Sequence, residues 1–197
     1  MVSLQKLIMR CFFTAVKGSE NMFSVTVREI TLSRGDTGAI KFKANVTRRD
    51  TGAAYTFGVR DRAVFSIKSG AGQVVKQKAY PMIGNEYMVI FMNADTDKIA
   101  PGGYSWDTRY VINPYYEDDP PAGTWTPYAD LTFPVAKDTK CMYDGTYFVA
   151  KQAIESSEDF DIDHWAFADY RIPVDGDQVV TPYMPTNMNL LTVVGDI

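Results

Sequence analysis

Apolar and polar residues alternate along Phe23-Ser24-Val25-Thr26-Val27-Arg28-Glu29-Ile30, and the same period of two returns in Ala39-Ile40-Lys41-Phe42-Lys43-Ala44-Asn45-Val46. A period of two sends successive side chains to opposite faces of a pleated strand, leaving one face apolar and the other polar. Turn chemistry separates these runs, at Gly35-Asp36-Thr37-Gly38 and again at Arg49-Asp50-Thr51-Gly52. Further strands are predicted at 62–68, 74–80, 86–92, 103–112 and 128–135. Ala94-Asp95-Thr96-Asp97-Lys98 reads as a short helical turn, and Pro101-Gly102-Gly103 as a breaker. No long helix-period segment separates the strands, so the pattern predicts an all-β sandwich or barrel, not a parallel α/β sheet.

A polar stretch, Ala136-Lys137-Asp138-Thr139-Lys140, marks a boundary. The expected organisation is an N-terminal segment 1–21, a sandwich 22–136, a small β-module 137–170 and an extended C-terminal tail 171–197. The acidic loop Glu117-Asp118-Asp119-Pro120-Pro121-Ala122-Gly123 interrupts the last sandwich hairpin. In the small module two strands flank a turn at Asp144-Gly145, and an acidic loop then leads to Trp165. The tail holds Pro173, Pro182 and Pro185 with one apolar cluster at 190–194, and is expected to pack on a neighbour. At the other end Leu4, Leu7, Ile8, Cys11, Phe12 and Ala15 fall at helical spacing, which predicts a short amphipathic helix. A second reading places this segment upstream of a native start at Met22. A signal peptide fits poorly, because the unbroken apolar run 11–16 is short and no small-x-small site follows.

Composition narrows the chemistry. Of 197 residues, 46% are apolar and 22% charged, the mix of a globular protein. No run approaches the roughly 18 apolar residues of a membrane span, so membrane insertion is not expected. One histidine and two distant cysteines, Cys11 and Cys141, are too few for a Cys/His zinc site, and His164 is the one imidazole open to nucleophilic catalysis. The expectation is a protein that is not an enzyme and needs no cofactor. Charge is graded along the chain: residues 1–78 carry 14 Lys+Arg against 5 Asp+Glu, whereas 136–197 carry 4 against 11. Such ends attract each other within a fold or between copies. The basic third alternates with apolar residues, as in Lys41-Phe42-Lys43, which marks a strand's solvent face and not a phosphate track. A nucleic-acid partner is therefore not expected.

Glu155, Glu158, Asp159, Asp161 and Asp163 form an acidic run. Asp159-x-Asp161-x-Asp163 has the alternate carboxylates of a calcium loop but lacks the glycine and distal glutamate of an EF-hand. A glycosidase pair needs two carboxylates across a cleft. The plain reading is a solvated loop, with His164 structural or on the surface.

Two resemblances rest on these segments. Ser33-Arg34-Gly35-Asp36-Thr37-Gly38, Ala63-Val64-Phe65-Ser66-Ile67-Lys68, and the run from Ala94 through Pro101-Gly102-Gly103-Tyr104-Ser105-Trp106-Asp107 follow in order. They resemble the immunoglobulin-like N-terminal domain of phage baseplate upper proteins and related prophage structural proteins. The resemblance implies an Ig-like antiparallel sandwich with Phe65, Ile67 and Tyr104 in its core, and a building block of a virion with no catalytic residue.

Tyr143-Asp144-Gly145-Thr146-Tyr147-Phe148-Val149-Ala150, closed by Trp165, is similar to the small chitin-binding module of carbohydrate-binding families 5 and 12. That similarity implies a carbohydrate-binding-like β-module with Tyr143, Tyr147, Trp165 and Tyr170 as glycan-binding candidates. The competing reading makes the same rings the core of a module too small to have another. Lys151 and Gln152 stand where that family exposes aromatic rings. Together the resemblances imply a baseplate, tail or head-fibre component located in the virion, whose partners are other virion proteins, copies of itself and host-surface glycans. The alternatives are a stand-alone glycan-binding module or a capsid decoration protein.

Overall fold

A computed structural model describes residues 8–16, 24–25, 29–34, 37–47, 53–180 and 190–194. They are mostly β, in largely antiparallel sheets, with one short α-helix among them. The predicted turns at Gly35-Asp36 and 49–52, together with Met22, lie outside the described residues.

The first sheet joins β1 (Ile8–Val16), β4 (Gly38–Thr47), β5 (Ala54–Tyr55) and β8 (Glu86–Phe91). Period two holds: Ile40, Phe42, Ala44 and Val46 of β4 and Tyr87, Val89 and Phe91 of β8 are buried, while Lys43, Met88 and Ile90 are exposed. The larger sheet runs β2 (Ser24–Val25), β3 (Glu29–Ser33), β15 (Leu190–Val194), β9 (Gly102–Tyr115), β6 (Arg62–Lys68) and β7 (Val74–Pro81). It sends Ile30, Ala63, Phe65, Ile67, Tyr80, Trp106, Tyr110, Ile112 and Leu191 into the same core. Phe42 stacks on Tyr87 at 5.0 Å and Phe65 on Trp106 at 5.4 Å within their sheets, and Phe42 meets Trp106 edge-on at 5.4 Å between them. Removing one such ring costs about 3–5 kcal/mol. The predicted helical turn is α1 (Asn93–Thr96), where the Asp95 carboxylate accepts from the Met92 amide at 3.0 Å.

Three expectations are corrected. Residues 8–16 are not helical: β1 pairs with β4 along its whole length, Ile8 opposite Thr47 and Val16 opposite Ala39. Phe12, Phe13, Thr14 and Val16 suit a pleated strand better than a helix, and β4 offers an edge that satisfies their backbone groups. Residues 128–135 are not a strand. Tyr128–Asp130 is a 3-10 turn, and Val135 makes an isolated bridge to Ile154. Pro134 removes one of the amide donors a ladder requires.

Nor is the tail merely extended. β14 (Asp175–Val180) and β15 both pair with β9. β6 pairs with β9 along one edge, over residues 105–111, and leaves the opposite edge of β9 in need of partners. β14 takes residues 110–115 and β15 takes 102–105. Beyond the end of β6, the buried Asp61 carboxylate accepts from the Asn113 amide at 3.0 Å.

A third, small sheet consists of β10 (Thr126–Pro127), β11 (Lys140–Tyr143), β12 (Thr146–Ala150) and β13 (Trp165–Phe167). Its hairpin turns at Asp144 and Gly145, with φ of 45° and 68°, the left-handed pair that a two-residue hairpin loop requires. Val135, Cys141, Phe148, Ala150, Ile154 and Trp165 form its core, with Tyr128, Leu131 and Phe133 packed around it. That core therefore draws residues from both sides of the polar stretch at 136–140.

Candidate functional site

Arg62 begins β6 on the face turned away from the main core, the face that also carries Val64. Its guanidinium is 1% exposed because the small sheet closes over it. One terminal nitrogen donates to the carbonyls of Val59, Arg60 and Asp61 at 2.8, 2.7 and 3.1 Å. The other donates to Thr146 Oγ1 of β12 at 3.1 Å and lies 3.9 Å from Asp169 Oδ2. The Phe167 ring sits 5.0 Å from the guanidinium carbon. Burial pulls the Arg62 pKa below its ordinary value, opposed by the Tyr116 phenol and the Asp169 and Asp61 carboxylates. Asp169, wholly buried, accepts from Arg171 Nε and from its terminal nitrogen, both at 2.8 Å. The junction thus binds two arginines and one carboxylate between the two cores.

The four predicted glycan-binding residues occupy three neighbourhoods. Tyr143, 37% exposed, lies parallel on Phe160 at 4.0 Å and 4°. Phe160 in turn faces Trp165 at 6.1 Å and 20°, but Trp165 is 1% exposed and belongs to the core. Tyr147 pairs with Met142 and alternates with Phe148, which puts it on the other face of the hairpin. There it meets Trp125 at 5.0 Å and the Arg171 guanidinium at 5.6 Å. Tyr170, 46% exposed, stands apart against Phe167 and Tyr80 with Lys78 Nζ 5.9 Å from its ring. Burial and the Asp95 charge raise its hydroxyl pKa.

The acidic loop is organised by its own backbone. Asp161 accepts from the Asp163 amide at 2.9 Å and so caps the 3-10 turn Ile162–His164. Lys151 donates to the Asp163 carbonyl at 3.0 Å. His164 Nδ1 meets Glu158 Oε1 at 2.6 Å, and this hydrogen bond raises the imidazole pKa. Among the described residues, no three His, Cys, Asp or Glu side chains converge as a metal ion would require.

Arg62, Asp169, Arg171 and Trp125 were not singled out as site residues by the pattern. The Asp169-Tyr170-Arg171 spacing was the one available signal, and it reads equally as a surface ion pair. Comparison with protein-family models, curated proteins and solved structures finds no match.

Proposed function

We propose that the chain is a non-enzymatic structural component of a bacteriophage virion, in a baseplate, tail or head fibre. In this reading an Ig-like β-sandwich carries a small carbohydrate-binding-like β-module. One observation carries the reading: segments that resemble the phage module meet in one core. Ala63 to Lys68 lies in β6 and Tyr104 to Asp107 in β9; the two strands pair over seven residues, with Phe65 stacked on Trp106. Tyr104 packs against that core and donates to the Ala100 carbonyl at 2.7 Å, tying the Pro-Gly-Gly breaker to the strand. A β scaffold with two cores bolted together suits a part that works by fitting its neighbours. Its partners are copies of itself and other virion proteins, and its location is the particle. Recovery of the chain in purified particles is the test.

A second reading, host-glycan contact, is favoured by Tyr143. Its ring is exposed and already held flat by Phe160, which spares a sugar the entropy of ordering it. On a panel of immobilised cell-wall glycans the protein should be retained, and Tyr143→Ala should lower retention about tenfold. Equal retention of the two proteins, or none by either, removes this reading.

A further inference from the structure

The outward side of the first sheet carries more apolar surface than a solvent face needs. Met88 and Ile90 of β8 are 41% and 36% exposed, and Met92, two residues on, is 53% exposed. Register sets Ile90 opposite Ala39 and Met88 opposite Lys41, with Lys43 next along β4 opposite Glu86. Lys41 pairs with Glu86, and Lys43 is exposed. The face is thus an apolar strip edged by two lysines and one glutamate, with Lys43 the cation left over from the Lys41–Glu86 pair.

The reverse surface lies on the small sheet. Glu155, Asp159, Asp161 and Asp163 are exposed there, with Phe160 and Ile162 half-buried among them. No lysine or arginine occurs between Lys151 and Arg171. This surface is acidic around an apolar centre.

The two cannot meet within one molecule. The first sheet turns its inner side to the main core, which the larger sheet closes. The small sheet is fixed to the opposite face of the larger sheet, where Arg62 binds Thr146 and Ile172 covers Val64, Ala79 and Val111. The basic-edged strip and the acidic surface therefore point away from each other. Complementary patches on opposite sides of one chain join copies head to tail, by a heterologous contact.

We propose that the strip formed by Met88, Ile90 and Met92 with Lys41 and Lys43 docks residues 155–163 of a second copy. The apolar strip supplies the buried area, while the rim charges steer the encounter and set the register. The contact belongs to the purified chain alone, so absence of the protein from particles leaves it standing.

The test is sedimentation velocity of the full chain over a range of concentrations, at about 50 mM and about 500 mM salt. The expected result is a mass that grows with concentration and falls at high salt. Lys41→Glu with Lys43→Glu in one variant, and Glu155→Lys with Asp159→Lys in another, should each sediment as a monomer. Mixing the two should restore association, because every junction again joins opposite charges. Ile90→Asp should weaken association at both salts. Circular dichroism confirms that each variant is folded. A parent that stays monomeric throughout, variants that associate like the parent, or a mixture no heavier than its components would overturn the proposal.

Discussion

Arg62 and Asp169 face each other across the junction of the two cores, Nη2 to Oδ2 at 3.9 Å, with side chains 1% and 0% exposed. Neither group has water to fall back on, so removal of either strands a buried charge. Arg62→Ala and Asp169→Ala should each lower the unfolding free energy by about 3–5 kcal/mol in urea titrations. The double variant should lose clearly less than the two losses added together. Additive losses would show that the pair is not coupled.

Gly176 is fixed by space. A Cβ there would stand 2.5 Å from the Ile112 carbonyl oxygen and 2.6 Å from Val111 Cγ1, both across the β14–β9 ladder. Gly176→Ala should cost about 1–3 kcal/mol and speed hydrogen exchange in β14. Gly70→Ala, with nothing within 4 Å, is the control and should change stability little. Equal effects at the two positions would remove the steric explanation.

Cys141 sits at 0% exposure in the small core, and burial pushes its thiol pKa up to about 12. The thiolate is the reactive form, so the native thiol should be inert. In a Cys11→Ser background, an aromatic disulfide reagent at pH 8 should label Cys141 only as fast as the protein unfolds. Labelling at the rate of an exposed thiol would contradict the burial.

The His164–Glu158 pair sets a pH dependence. The hydrogen bond from Glu158 raises the imidazole pKa in the folded state above the ordinary value of about 6.5. A raised folded pKa stabilises the protein fully below the unfolded value, and this contribution disappears as pH rises through the folded one. NMR titration of the one imidazole should give a pKa above 6.5, and Glu158→Gln should bring it down. An unchanged value in that variant would show that Glu158 is not the cause.

Local pattern carried much of the fold. β6 occupies the residues expected of it, and the inward set Ile40, Phe42, Ala44 and Val46 follows from period two. Two of the three failures came where the deciding partner is distant in the chain. Residues 8–16 satisfy a helical spacing and a strand propensity at once, and β4, which settles the matter, begins at Gly38. The tail becomes two strands because β9 has a second edge, opposite β6, to be paired, a need that no local window contains.

The candidate site divides in the same way. The burial of Trp165 follows from how few apolar residues a small β-module has, but the same argument would bury Tyr143 and Tyr170, which are exposed. Arg62 read as the polar start of a strand, and only Thr146, 84 residues later, makes it an anchor. Tyr143 and Tyr147 look equivalent in Tyr-x-Gly-x-Tyr, yet the two-residue turn sets them on opposite faces of the hairpin.

The central claim is membership of a virion. Particles released from the producing strain, purified on a density gradient and analysed by quantitative mass spectrometry, test it directly. The account predicts peptides of this chain at a fixed ratio to the major structural proteins, in multiple copies per particle, through successive gradients. Peptides confined to the soluble lysate, or lost on the second gradient, would contradict it.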